Sequence, residues 1–293
     1  MRKVRCAIIG SGNISTDLLY KLKRSAVLDP VWMVGIDPES EGLKRAAGMG
    51  LKITSSGIAS LVPHIQEDRI QIVFDATSAK AHVENWGLVQ GEGVRMVDLT
   101  PAAIGKLYVP SINLSEINDS GERNFNMISC GGQATTPIVH AISQVHDIRY
   151  AEVVASMSSQ SVGPGSRANL DEVLNTTSNA LIKVSGAQSA KVLVVVNPAE
   201  PPMLMRNTVS CVIDSEIDEA AINDAITRRV EQVRQYVPGY RVANGPCFEE
   251  NKIIVYLEVK GEGDFLPPYA GNLDIMTAAA RRTGEIIAEG ILQ

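Results

Sequence analysis

The sequence predicts an α/β protein: a parallel sheet wound on both faces by helices, followed by a second α+β domain. Two observations carry this. Up to Cys130, short apolar runs alternate with helical stretches, and the runs lack polar alternation, as strands buried on both faces do. Beyond Cys130, strands follow one another with fewer helices between them, the pattern of a mixed or antiparallel sheet.

The strand-like runs of the first part are VRCAIIG, VWMVGID, IQIVFDAT, VRMVDLT and FNMIS. Those of the second are AEVVASMSS, KVLVVVNP, TVSCVID and KIIVYLEVKG. Helices are expected from Asn169 to Val184 and from Glu216 to Tyr236, the latter stopped by Pro238-Gly239. Asn197 to Pro202 reads as a rigid turn. Leu273 to Ile291 carries apolar residues at helical spacing, and this last helix is expected to pack back on the first domain.

Composition narrows the function. With 293 residues, 45% of them hydrophobic, the chain can bury a substantial core in two domains. A net charge of −6 argues against a nucleic-acid surface, and 4% aromatic residues offer no stacking platform for single strands. No run approaches a membrane span, and MRKVRCAIIG leads directly into a strand without a signal-peptide h-region, so a cytoplasmic location is expected. Cys6, Cys130, Cys211 and Cys247 are widely spaced, with no C-x-x-C and no histidine at zinc spacing; reduced thiols and no metal site are expected, with Cys6 and Cys211 in strand patterns and Cys247 in an NGPCFEE loop.

CAIIGSGNISTDLLYKL reads as strand, glycine loop and helix, with Gly10, Gly12 and Ser15 in the positions of a G-x-G-x-x-G fingerprint. Gly10 permits the tight turn, and Gly12 lets the backbone approach a pyrophosphate seated on the helix N-terminus. Serine in the third position adds one small side chain where helix meets strand. Together these features predict a Rossmann-type nucleotide-binding domain. Asp37, read as the end of the second strand, is placed to accept hydrogen bonds from a ribose, which favours NAD over NADP. A helix-capping turn with Asp37 as a loop cap is the plainer alternative. The strand ends Asp75-Ala-Thr-Ser and Asp98-Leu-Thr-Pro should lie at the ligand-binding carboxyl edge, or serve as ordinary N-caps.

In MISCGGQATTP, Thr136 reads as an N-cap and Pro137 as a first-turn residue, which puts Cys130 in a strand-to-helix turn. Orphan N–H groups there would lower a thiol pKa and stabilise a developing oxyanion, and Gly131 and Gly132 would leave room for substrate. A small buried hydrophobe beside a turn fits these residues equally well. Neither His140 nor His146 is tied to the cysteine by spacing alone. In SVGPGSRAN, the backbone of Ser161, Val162, Gly163, Pro164, Gly165 and Ser166 could hold an anion or amide, with Arg167, Ala168 and Asn169 leading into a helix; a plain loop junction competes.

Taken together, GSGNIS, GIDPES, FDATSA, DLTPAAIG, NMISCGGQAT, SVGPGSRAN, NPAEPP and YAGNLDIMT resemble the CoA-acylating acetaldehyde dehydrogenases, the partners of 4-hydroxy-2-oxovalerate aldolase in meta-cleavage pathways. The resemblance spans nearly the whole chain. It implies that Cys130 attacks the aldehyde, that NAD takes the hydride, and that coenzyme A as co-substrate receives the acyl group; acetaldehyde is the implied substrate, with propanal a further candidate. It implies NAD contacts at Ser11, Gly12, Asn13, Ile14, Ser161 to Asn169, and Asn272. It also implies a homodimer and an aldolase partner, with an NAD-binding domain at 1–129 plus 271–293 and a catalytic and dimerisation domain at 130–270. Where the family carries an aspartate as base in M-R-D-T, this chain has Asn207, an amide that cannot take a proton. The segment between Arg241 and Lys252 is also shorter than in many members of that family. Two competing functions remain: a phosphorylating semialdehyde or glyceraldehyde-phosphate type dehydrogenase, which would call for a histidine base after the cysteine in the second domain, and a catalytically weakened aldolase-binding partner.

Overall fold

Strand β1 (Val4–Ile9) lies near the middle of a seven-stranded parallel sheet in the computed structural model, which describes residues 2–118, 121–163 and 167–293. The sheet continues with β2 (Leu28–Val34), β3 (Lys52–Thr54), β4 (Ile70–Asp75), β5 (Arg95–Asp98), β6 (Lys106–Leu107) and β7 (Asn124–Asn126), in the order β3-β2-β1-β4-β5-β7-β6. Its order reverses between β1 and β4, and ligands of open α/β sheets bind at such a switch point. Helices α1 (Asn13–Lys23), α2 (Glu41–Gly48), α3 (His64–Glu67), α4 (Ala79–Val89) and α5 (Pro110–Asn113) fill the connections. Apolar strand residues such as Ile8, Ile72, Phe74 and Val97 are fully buried under helices, and Ala7, Val73 and Met96 are buried on the opposite face.

Helix α6 (Cys130–Ser143) leads from β7 into a mixed five-stranded sheet of β8 (Ile148–Ser158), β9 (Ala190–Asn197), β10 (Met205–Ile213), β11 (Tyr240–Glu249) and β12 (Lys252–Val259), in the order β11-β12-β10-β8-β9. β8 and β9 run parallel; the other pairs are antiparallel. α6 and α8 (Glu219–Arg234) cover one face, packing Ile138, Ile142, Ile222 and Ile226 with Val153, Val209, Cys211 and Val255. The other face and the edge strand β9 leave Leu193 and Val195 more than two-fifths exposed. α7 (Leu170–Lys183) packs beside β9, and α9 (Gly271–Leu292) returns from β12 to lie along α1.

A charge cluster fixes that return. Lys21 Nζ is fully buried and lies 2.7 Å from Asp274, 3.0 Å from Asp264, 3.2 Å from Asp17 and 3.6 Å from Glu262. Thr277 donates to Asp17 at 2.6 Å. The acidic neighbours push the Lys21 ammonium above its usual range despite burial, so it stays charged.

Three expectations need correction. β2 ends at Val34, so Asp37 lies in the exposed turn beyond it. The NGPCFEE stretch, read as a loop, belongs to strand β11, whose register shifts twice against β12; Gly245 there takes φ +89°, the conformation only glycine adopts freely. And Thr136 caps nothing: α6 already starts at Cys130, which puts Thr136 and Pro137 in its second turn.

Candidate active site

A cleft of about 380 Å³ opens between the carboxyl edge of the parallel sheet and the second sheet. The strand-end turns Ala76-Thr77-Ser78 and Leu99-Thr100-Pro101 form one wall. Ala155 and Met157 of β8, Val192 and Val194 of β9, and Leu170, Val173 and Thr177 of α7 form another. Gly12, Asn13 and Ile14 close it on one side, Ile128, Ser129, Cys130 and Gly131 on a second, and Asn272, Leu273 and Met276 on a third.

The glycine loop has the geometry a phosphate needs. Gly10 takes φ +108°, and a Cβ there would lie 2.7 Å from Ser15 Oγ and 2.8 Å from the carbonyl oxygen of Ala76, so only glycine fits. A Cβ on Gly12 would meet no atom of the described residues within 4 Å; among them, the space in front of it is open. Gly12 occupies the N-cap of α1 and offers no side-chain acceptor, which leaves the first N–H groups of the helix for an anion. Ser11 stands behind the loop, where its carbonyl accepts from Ser40 Oγ at 3.0 Å. The carboxylate of Asp37, exposed outside the cleft, accepts from the N–H of Glu39 at 2.9 Å.

The turn before Cys130 is held by its own hydrogen bonds. Ile128 takes φ +65°, a strained conformation for a β-branched residue, and its N–H donates to Asn126 Oδ1 at 2.8 Å. This left-handed step sends the chain into Ser129, whose Oγ accepts from the N–H of Gly132 at 2.9 Å and caps α6. Thr177 donates its proton to the carbonyl of Val173, so the 2.6 Å contact between the hydroxyls of Ser129 and Thr177 has Ser129 as donor. The cysteine therefore occupies the first position of the helix, partly exposed to the cleft. A Cβ on Gly132 would come 2.3 Å from Ile128 Cγ2; this glycine serves the packing of the turn rather than substrate access.

The thiol environment differs from the one expected. Burial pushes the Cys130 thiol up to about 11, while the N–H groups of Gly131 and of Cys130 itself pull it down without prevailing. Desolvation wins because no cation faces the sulfur: Cys130 is the only titratable side chain among the described residues lining the cleft. His140 faces Arg229 at 2.9 Å, where burial and that guanidinium push it down to about 4. His146 binds Ser215 and the N–H of Asp218 at 3.0 Å. Neither histidine reaches the cleft.

Asn207 lies on β10 opposite Ala155, a cleft residue against which a Cβ on Gly131 would pack at 3.5 Å. It is 2% exposed and does not line the cleft itself, and neither its Oδ1 nor its Nδ2 has a hydrogen-bond partner among the described residues. Asn272 is buried at the start of α9; its Nδ2 donates to the carbonyl of Ser161 at 3.0 Å and its Oδ1 is unpartnered. Val162, Gly163 and Asn169 also line the cleft, whereas Ala168 is exposed outside it. Arg167 turns back on its own loop, donating to the carbonyls of Val162 at 3.0 Å and Ser159 at 3.2 Å, and adds no charge to the cleft. Pro164, Gly165 and Ser166 lie outside the described residues.

A family model described as prokaryotic acetaldehyde dehydrogenase, dimerisation, matches residues 130–267. Over 292 residues the chain is 60% identical to acetaldehyde dehydrogenase 5 of Dechloromonas aromatica (strain RCB), covering 100% of this chain and 96% of the relative. The chain belongs to the acetaldehyde dehydrogenase family. Acetaldehyde dehydrogenase 1 of Azoarcus sp. (strain BH72) is another family member at 60% identity, with the same coverage. The fold reaches beyond the family: aspartate semialdehyde dehydrogenase II from Vibrio cholerae superimposes with a TM-score of 0.64 at 14% identity, over 99% of each chain.

Sequence reasoning missed the apolar wall of Ala155, Met157, Val192 and Val194, because nothing local marks which face of β8 and β9 meets the cleft. It also missed His82, fully buried between Asp75 and Asp98 behind the strand-end turns.

Proposed function

We propose that the chain oxidises acetaldehyde to acetyl-CoA with NAD as hydride acceptor, through a thioester on Cys130. The observation that carries the reading is the placement of Cys130 at the first position of α6, facing the same cleft as Gly12 and Asn272. The open space before Gly12 and the unpartnered Oδ1 of Asn272 suit a dinucleotide, the first for its pyrophosphate and the second for a carboxamide N–H. NAD, when bound, would supply the carbon that accepts hydride, and coenzyme A is the co-substrate that takes the acyl group; attack on the aldehyde and positioning fall to the chain.

Cys130 sulfur, once deprotonated, attacks the carbonyl carbon of the aldehyde and forms a carbon–sulfur bond. The N–H groups at the start of α6 favour negative charge on the oxygen produced. Loss of hydride from that carbon leaves an acetyl thioester on Cys130. Coenzyme A attacks the thioester through its own sulfur, the bond to Cys130 breaks, and the proton coenzyme A gives up restores the Cys130 thiol. Asn207, buried beside Ala155 and outside the cleft lining, has both amide atoms free for a water and, as an amide, does not take a proton. The apolar walls keep bulk water from the thioester.

A phosphorylating variant of this chemistry is disfavoured, because no Lys, Arg or His is among the described residues lining the cleft. The exposed Leu193 and Val195 on the unpaired edge of β9 suit a subunit contact, in line with a homodimer. The aldolase partner rests on the sequence resemblance alone. The test is NADH formation from acetaldehyde and NAD: dependence on coenzyme A supports the reading, dependence on phosphate replaces it with the phosphorylating one, and no turnover with either leaves the chain as a binding partner.

A further inference from the structure

His82, on α4, is buried between two carboxylates that also hold the walls of the cleft. Its Nδ1 lies 3.0 Å from Asp75 Oδ2, and its Nε2 lies 3.3 Å from Asp98 Oδ2; all three side chains are fully buried. The other oxygen of Asp75 accepts from the N–H of Thr77 at 3.1 Å and from its hydroxyl at 2.6 Å. The other oxygen of Asp98 accepts from the N–H of Thr100 at 2.7 Å. Thr77 and Thr100 line the cleft. Asn126 donates to Asp98 Oδ2 at 2.6 Å and accepts from Ile128, so the same chain of contacts reaches the turn that presents Cys130.

We propose that His82, protonated on both nitrogens, is the positioning residue that ties the strand-end turns of β4 and β5 together, and that nucleotide affinity is linked to its proton. This rests on the reading of the cleft as the NAD site. Two observations support it. A neutral imidazole with its one N–H on Nδ1 donates to Asp75 and turns a lone pair towards Asp98 at 3.3 Å, whereas an imidazolium donates to Asp75 and presents its positive charge to Asp98. The charged groups facing the ring are Asp75 from β4 and Asp98 from β5; Asn85 of α4 and Asn124 and Asn126 of β7 are neutral. Without the imidazolium, two carboxylates would be buried with no cation.

The two carboxylates raise the imidazole above its ordinary 6.5 in spite of burial. The bridge is therefore intact above the value of about 6 to which burial lifts Asp98, and is lost as pH rises through the raised imidazole value. The experiment is NADH affinity by fluorescence titration between about pH 6 and about pH 9, on the wild type, His82→Gln and Asp98→Asn. The wild type should lose affinity on the order of tenfold across that range, and both variants should bind at the weak level throughout, with a flat profile. A flat wild-type profile overturns the proposal, as does a variant that keeps the wild-type affinity and slope. If only one variant folds, its profile with that of the wild type decides. A wild type that binds no NADH at any pH overturns the nucleotide reading and this proposal with it.

Discussion

The N–H of Ile128 donates to Asn126 Oδ1 at 2.8 Å, and this bond holds a β-branched residue at φ +65° immediately before the helix that begins with Cys130. A strained turn of this kind persists only where its surroundings over-determine it. Asn126 is itself tied to Asp98 and to the carbonyl of Thr100, so the sulfur is positioned from the strand-end wall of the cleft.

Cys130→Ser should abolish NADH formation from acetaldehyde, because a serine hydroxyl with no base beside it is a far weaker nucleophile. NAD binding, measured separately by titration, should be unchanged. Turnover near the wild-type rate would remove the nucleophile assignment.

Gly12→Ala and Gly132→Ala should behave in opposite ways. At Gly12 the backbone is extended and a Cβ meets no atom of the described residues, so the variant should keep the wild-type Tm while NAD affinity falls on the order of tenfold. At Gly132 a Cβ would press on Ile128, and the expected loss is about 1–3 kcal/mol of stability. Thermal denaturation with nucleotide titration reads both.

The reactivity of Cys130 should follow its displaced pKa. Burial pushes the thiol up to about 11, so the fraction of reactive thiolate keeps rising with pH well beyond the range of a free cysteine. Iodoacetamide labelling of the protein without ligands, corrected by subtracting Cys130→Ser, should show no plateau below about pH 9. A plateau near neutrality would mean that a cation or base stabilises the thiolate.

Asn207→Asp should raise the rate on the order of tenfold and bring a new ionisation into the pH–rate profile. Asn207 is buried with neither amide atom partnered among the described residues, so a carboxylate there would be desolvated and its pKa raised towards the working pH. An unchanged or lower rate would show that proton transfer in this chain does not depend on position 207.

Lys21→Met should destabilise the fold by about 3–5 kcal/mol, since it leaves Asp17, Asp264 and Asp274 facing one another without their central cation. Chemical denaturation measures the loss, and because the cluster joins α1 to α9, the packing of the last helix should loosen first.

By itself, the sequence determined the parallel sheet, the glycine loop and the candidate nucleophile. These are local: buried strands show as continuous apolar runs, a phosphate turn needs glycine where Cβ cannot fit, and the CGGQAT motif is contiguous. Tertiary structure decided the rest. Ser129 rather than Thr136 caps the helix because Asn126 holds Ile128 in a left-handed step and the N–H of Gly132 donates to Ser129 Oγ. Arg167 turned out to bind its own loop, and Asp37 to stand beyond the strand in solvent. The Cys130 thiol is raised rather than lowered, since desolvation is imposed by walls drawn from β8, β9 and α7, far along the chain. His82 shows the same limit. Nothing near it in sequence announces that Asp98, sixteen residues on, will close over its second nitrogen. Hydrogen-bond partners and solvent exclusion are properties of the assembled molecule, and they set the charge on both the sulfur and the imidazole.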